Sequence, residues 1–96
     1  MHVYCLRSRA RSPEAAQEVC RAFGHVLALH QEAGFAYGAC MINVDDPCDL
    51  LVLTRWSNQA AAEHWYSSDG YVLAVAQVRS LLVESPHMEV FEICSE

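Results

Sequence analysis

The sequence predicts an α+β fold whose elements follow the order β-α-β-β-α-β. Residues 2–9 alternate as a strand does, and a helical stripe of apolar residues follows from Pro13. A second pair of strands then leads into Trp56, after which the apolar spacing changes from strand-like to helical. Because 96 residues suffice for one small core, we expect residues 1–96 to form a single domain.

The first strand and the first helix have distinct signals. Residues 2–9 carry apolar groups on both faces, which predicts a strand covered from two sides. Ser12 is suited to cap a helix that has Pro13 at its first position. The apolar stripe continues to about Glu32, and Gly34 can supply the left-handed residue that ends the helix.

Two strands joined by a turn come next. Phe35–Val44 and Cys48–Trp56 are both rich in apolar residues on both faces, and the Asp-Asp-Pro sequence at 45–47 is typical of a turn. The two segments therefore predict an antiparallel hairpin whose faces are both apolar.

The last third of the chain predicts a helical pair and a final strand. Ser57 can cap a short helix that holds residues 60–65, and Ser68 can cap a longer one. Pro86 ends the longer helix, because the residue before a proline avoids the helical conformation. The final strand is His87–Cys94.

The complete order is the split β-α-β arrangement of ferredoxin-like domains, with a four-stranded antiparallel sheet. Two helical segments can cover one face of such a sheet, while the other face is apolar in all four strands. At roughly 25 cal/mol per Å² that surface is costly to leave in water. We therefore expect a homodimer in which two sheets pack face to face as a dimeric α+β barrel.

Composition excludes several classes of partner. The net charge is −6, with six arginines and no lysine, so neither nucleic acid nor an anionic membrane is an expected partner. The five cysteines contain no CxxC pair, and the histidines have no ligand spacing, so we expect the cysteines to be small core residues that form neither disulfides nor a metal site. Without a signal-peptide pattern, the expected location is the cytoplasm.

Groups suited to acid–base chemistry concentrate after Trp56. The helical spacing of Ala61, His64 and Trp65 predicts that they share one face, and Tyr71 follows one turn of chain later. An indole, an imidazole and a phenol are therefore expected to converge. We expect Trp65 with Phe35 or Phe91 to contact a flat substrate.

The sequence resembles the antibiotic biosynthesis monooxygenases in the order of its elements, over nearly the whole chain, and in the residues Trp65, Ser68 and Tyr71. The resemblance implies a small dimeric α+β barrel that oxygenates aromatic quinols without metal or flavin. Trp65 and Tyr71 match a pocket tryptophan and tyrosine of the anthrone-oxygenating members. The family has an asparagine four residues before that tryptophan, and this chain has Ala61 at that position. Asn58, one helical turn away, is expected to bind substrate in its place.

One branch of that family degrades haem, and this chain departs from it. Val75 occupies the position of that branch's iron-binding histidine, and its first-strand asparagine has no counterpart in residues 4–9. The resemblance therefore implies no haem chemistry and no cofactor.

The predicted function is a monooxygenase that deprotonates an aromatic quinol or polyketide-like substrate, which then reacts directly with dioxygen. His64 is the expected base, because an imidazole titrates near neutral pH, and Trp65 and Tyr71 orient the substrate. Two alternatives remain open: a non-catalytic barrel that binds a small apolar ligand, and an isomerase or cyclase that uses the same pocket.

Overall fold

The computed structural model describes residues 1–28 and 32–96. Its elements, in chain order, are β1 (His2–Arg9), α1 (Pro13–Ala28), β2 (Phe35–Ile42), β3 (Asp49–Trp56), α2 (Gln59–Tyr66), α3 (Asp69–Val78), a 3-10 turn (Arg79–Leu81) and β4 (His87–Glu92).

The four strands form one antiparallel sheet in the order β2-β3-β1-β4. β1 lies in the interior of the sheet, between β3 and β4, and β2 is an edge strand. The predicted α+β, ferredoxin-like fold is thereby confirmed, with the second helical segment divided into α2 and α3.

Several predicted boundaries were wrong by a few residues. β2 ends at Ile42 rather than Val44, because the side chain of Asn43 accepts a hydrogen bond from the Asp45 amide and turns the chain. The second helical segment ends before Leu82, because the Val83 amide donates to the Arg9 carbonyl and draws the chain back to the sheet. β4 ends at Glu92 rather than Cys94. Residues 29–31, which the predicted helix includes, lie outside the described residues.

The helix caps follow from short polar side chains. Ser12 and Ser68 accept hydrogen bonds from the amides three residues on, as predicted. Asn58, rather than Ser57, caps α2 through a 3.2 Å bond from the Ala61 amide to its Oδ1. Ser57 instead bonds to the carbonyl of Gly34 through both its amide and its hydroxyl.

The core lies between the helices and one face of the sheet. Its largest member is Trp56, whose exposed fraction is 0%. The other buried apolar residues come from both strands of the sheet interior and from all three helices: Tyr4, Leu6, Ala16, Val19, Phe23, Leu27, Leu50, Val52, Ala62, Trp65, Ala74 and Val78, with Ala10 and Leu82 beside them. Burial of this set in a single layer fixes which sheet face the helices cover.

No helix of the described residues covers the other face of the sheet, and we call it the open face. Strand register places the following apolar residues on it: Val3, Cys5, Tyr37, Ala39, Met41, Leu51, Leu53 and Phe91. Tyr37 and Phe91 are 51% and 54% exposed. Exposed apolar surfaces that are contiguous are typical of interaction sites.

Two glycines provide a matched test of the packing. A methyl group added at Gly38, on β2, would lie 2.8 Å from Cζ of Phe35 and 3.0 Å from Cδ2 of Leu27. At Gly24, on α1, it would meet nothing within 4 Å. We therefore expect Gly38→Ala to destabilise the protein by about 1–2 kcal/mol through overpacking. Gly24→Ala should stabilise it by about 0.5–1 kcal/mol, because alanine is the better helix former.

Urea unfolding of the two variants measures both effects on the same scale. Changes of the same sign in the free energy of unfolding would contradict the described packing of the Phe35 ring against Gly38.

Candidate functional site

Five aromatic rings meet where β3 passes into α2, and we call them the aromatic cluster: Tyr4, Trp56, Trp65, Tyr66 and Tyr71. Tyr66 lies at its centre, stacked on Tyr4 with ring centroids 5.1 Å apart and edge-on to Tyr71 at 4.7 Å. Trp65 is 6.0 Å from Trp56 and 5.2 Å from Tyr71. The cluster therefore connects β1, β3, α2 and α3.

A buried hydroxyl joins two of these rings by hydrogen bonds. The indole Nε1 of Trp56 donates to Oγ1 of Thr54 over 2.9 Å, and the same oxygen lies 2.7 Å from the Tyr66 hydroxyl. Thr54 is fully buried. Since a threonine oxygen can accept one bond and donate another, this arrangement fixes both rings on the helix side of β3.

A cavity of about 290 Å³ opens beside the cluster. β1 and β4 contribute Leu6 and Met88, α3 contributes Tyr71, Val72 and Val75, and Pro86 completes the lining. Tyr71 is the one lining residue that carries a polar side chain. The cavity thus suits an apolar ligand that offers one hydrogen-bond acceptor.

Burial changes the acidity of the tyrosines in the cluster. It raises the pKa of Tyr71 to about 12, and it raises the pKa of Tyr66 further still. The pKa of Tyr4 is also raised, mainly by burial and secondly by the nearby carboxylate of Glu63. At neutral pH these phenols are therefore protonated, so Tyr71 can donate a hydrogen bond but cannot act as a base.

Tyr71 and Trp65 are brought together as the sequence predicted, but their surroundings differ. Tyr71 lines the cavity, whereas Trp65 is not among the lining residues. The indole of Trp65 is buried between Trp56, Tyr66 and Tyr71, in edge or tilted contacts. Its place is therefore behind the Tyr71 ring, which it supports.

His64 and Asn58 do not join them. The imidazole of His64 is 75% exposed and faces Glu32, with 3.9 Å between Nε2 and the Oε1 atom of the carboxylate. The buried side of α2 is formed by Ala62 and Trp65, so the expected convergence of imidazole, indole and phenol is not found. The side-chain oxygen of Asn58 is engaged in the cap of α2.

The two phenylalanines lie on opposite faces of the sheet. Phe35 is on the helix side, edge-on to Trp56 at 5.2 Å, and does not line the cavity. Phe91 pairs with Val3 on the open face, so the sheet separates it from Trp65. Both phenylalanines were predicted to contact a flat substrate, but neither lines the cavity beside Tyr71.

Sequence reasoning missed Tyr66 and Thr54. Tyr66 directly follows Trp65, and Thr54 precedes Trp56 by two residues on the same strand face. Both therefore lie close in sequence to tryptophans that the sequence analysis names. Their pairing depends on how α2 folds back onto β3, and no spacing in the sequence encodes that angle.

Within the described residues, no three histidine, cysteine, aspartate or glutamate side chains are grouped as a metal site requires. None of the helices described is both long and apolar enough to cross a membrane.

Comparison with solved structures identifies the same fold in proteins of low sequence identity. A proposed antibiotic biosynthesis monooxygenase from Deinococcus radiodurans superposes with a TM-score of 0.86 at 19% identity, over 100% of this chain and 95% of the other. Rv0793 from Mycobacterium tuberculosis gives 0.80 at 18%, over 100% and 98%. SnoaB, a cofactor-independent oxygenase from Streptomyces nogalater, gives 0.78 at 14%, over 99% and 94%.

Among curated proteins, no relative matches this sequence. The sequence model of the antibiotic biosynthesis monooxygenases, in contrast, matches residues 5–77, which is most of the chain and includes every residue of the aromatic cluster except Tyr4. The protein therefore belongs to the antibiotic biosynthesis monooxygenase family.

Proposed function

We propose that this protein is a cofactor-independent monooxygenase that acts on a small aromatic quinol or polyketide-like phenol. The observation that carries the proposal is the apolar cavity whose single polar lining residue is Tyr71, protonated at neutral pH. The similarity in fold to SnoaB, a cofactor-independent oxygenase, supports the same class of chemistry.

The size and lining of the cavity bear on the substrate. A volume of about 290 Å³ lies at the lower end of small-molecule sites, which favours two or three fused rings over a larger polycycle. Leu6, Val75 and Met88 supply apolar contacts. Val75 presents no metal ligand, consistent with chemistry that needs neither haem nor another metal.

In the proposed reaction Tyr71 stabilises an oxyanion. The substrate ionises to a phenolate, and the Tyr71 hydroxyl donates a hydrogen bond to the oxygen on which the charge develops. Such a donor lowers the pKa of the bound substrate and keeps the anion in place for reaction with dioxygen. Trp65 and Tyr66 hold the Tyr71 ring in position.

In this proposal the substrate transfers its proton to solvent rather than to His64. No carboxylate or imidazole lines the cavity in the described part of the chain, and the His64 ring is directed outward to Glu32. The carbanion of the ionised substrate then bonds to one atom of dioxygen. A proton from solvent converts the resulting peroxide anion to a hydroperoxide. Its O–O bond then breaks as the same carbon loses its remaining hydrogen, so that water leaves and a quinol C–H or an anthrone methylene becomes a carbonyl.

Oxygen uptake tests this function. With 1,4-dihydroxynaphthalene or anthrone, we expect the protein to accelerate oxygen consumption above the spontaneous rate measured without it. Tyr71→Phe should reduce the catalysed rate by about 10²-fold, because it removes the oxyanion donor and keeps the ring. His64→Ala and the surface control Leu73→Ala should leave the rate unchanged.

Four results would contradict the proposal. Full activity of Tyr71→Phe would remove the proposed donor, and loss of activity in His64→Ala would restore the base predicted from sequence. Quenching of tryptophan fluorescence by the quinol without catalysed oxygen uptake would instead favour the ligand-binding alternative. Conversion of the substrate under anaerobic conditions would favour an isomerase or cyclase.

We also propose that the protein is located in the cytoplasm and forms a homodimer. The two copies pack against each other through the open face. Leu51, Leu53 and Phe91 offer an apolar centre there, and Arg7 and Glu89 offer charges of opposite sign on the same face. Closing two sheets in this way removes the apolar surface from water and leaves each cavity on the helix side of its own sheet.

Light scattering tests the dimer. We expect a particle of twice 10.7 kDa, and Leu53→Glu should shift it to the monomer, because the carboxylate would be buried between the sheets. Leu73→Glu, on the exposed side of α3, is the matched control and should remain dimeric. A wild-type monomer at all concentrations, or equal dissociation of both variants, would contradict the proposed interface.

A further inference from the structure

Two cysteine thiols face each other between α1 and the edge strand β2. Cys20 Sγ donates a hydrogen bond to Cys40 Sγ, with 2.8 Å between the sulfur atoms. In the sequence the two residues are 20 positions apart. Both are free cysteines. The folded chain thus holds two thiols in direct contact without a covalent bond.

The surroundings leave the pair accessible. Cys20 and Cys40 are both only partly buried, and β2 has no neighbouring strand on its outer side. Cys40 is on the helix face of β2, opposite Val52 on β3. A small oxidant can therefore reach the thiols, and the pair stays outside the proposed dimer interface because it lies on the other side of the sheet.

We propose that Cys20 and Cys40 form a reversible intramolecular disulfide when the protein meets a peroxide. A disulfide bond requires a sulfur separation of about 2.05 Å, so the two sulfur atoms, now 2.8 Å apart, must approach each other by about 0.8 Å. The site is independent of the proposed monooxygenase function, because neither thiol lines the cavity beside Tyr71.

The oxidation proceeds in two steps. The Cys20 thiolate attacks one oxygen of hydrogen peroxide, the O–O bond breaks, and hydroxide leaves, which gives a sulfenic acid. Cys40 Sγ then attacks Cys20 Sγ, the S–S bond forms, and the sulfenic hydroxyl leaves as water with the thiol proton of Cys40. Two thiols are oxidised by two electrons, and one peroxide is reduced to two waters.

Cys20 is assigned the first step because of the environment of its partner. Burial raises the pKa of Cys40, which keeps that thiol protonated at neutral pH. Cys40 is therefore the residue that resolves the sulfenic acid, and its position against Cys20 Sγ is the one that this second attack needs.

The disulfide bond would link α1 covalently to β2. Closing a loop of about 20 residues restricts the unfolded chain, so the oxidised protein should melt about 15 °C above the reduced protein. Dithiothreitol should reverse the shift, since it exchanges with an accessible disulfide.

The test treats the reduced, full-length protein with hydrogen peroxide at neutral pH, blocks the remaining thiols and maps the peptides without reduction. Cleavage after arginine and before aspartate separates Cys20, Cys40 and Cys48 into different peptides. We expect a linked pair that contains Cys20 and Cys40, lighter than the sum of the two peptides by two hydrogens, together with the rise in melting temperature.

Matched variants complete the test. Cys20→Ser and Cys40→Ser should each abolish the linked pair and the reversible thermal shift, while Cys94→Ser, which changes an exposed thiol, should retain both. Recovery of Cys20 and Cys40 as separately blocked or separately oxidised peptides would overturn the proposal. An oxidised wild type that melts no higher than the reduced protein would overturn the stabilising role.

Discussion

The two hydrogen bonds of Thr54 are the interaction on which the site depends. Through one buried oxygen, Thr54 holds the indole of Trp56 at the end of β3 and the phenol of Tyr66 at the end of α2. Tyr66 in turn contacts Tyr71, which lines the cavity. A polar group in such a core is costly unless it is paired, so the pairing selects one angle between α2 and the sheet. That angle determines the position of Tyr71 in the wall of the cavity.

The second constraint is the distribution of apolar residues over both faces of the sheet. The helices cover the face that carries Tyr4 and Leu6, and the open face retains Leu53 and Phe91. A chain of 96 residues has too few elements to cover both faces, so stability and assembly are linked in our proposal. The division also separates the functions: the cavity and the Cys20 thiol lie on the helix side, and the proposed interface lies on the other.

The order of elements could be predicted from sequence because each element has its own period or cap. The residues of the site were harder to assign. His64 and Trp65 are adjacent on a helix and thus about 100° apart, so the burial of one directs the other outward. Ala62 and Trp65 set the buried side, a choice that the spacing of Ala61, His64 and Trp65 did not reveal.

The phenylalanines illustrate a second limit of sequence reasoning. Where both faces of a strand are apolar, alternation cannot show which face meets the helices, and an error of one residue in register moves every side chain across the sheet. Phe91 was assigned to the pocket and lies on the open face for this reason. Asn58 and Ser57 are similarly interchangeable as caps until the bonds from Ser57 to Gly34 are known.

The measurement that tests the central role of Thr54 most directly is a double-mutant cycle with Thr54→Val, Tyr66→Phe and the combined variant, followed by urea unfolding. Because the hydroxyls are 2.7 Å apart in a buried setting, we predict that the two changes are coupled by about 1 kcal/mol. Additive changes in the free energy of unfolding, with a coupling near zero, would contradict the account of how this cluster positions Tyr71.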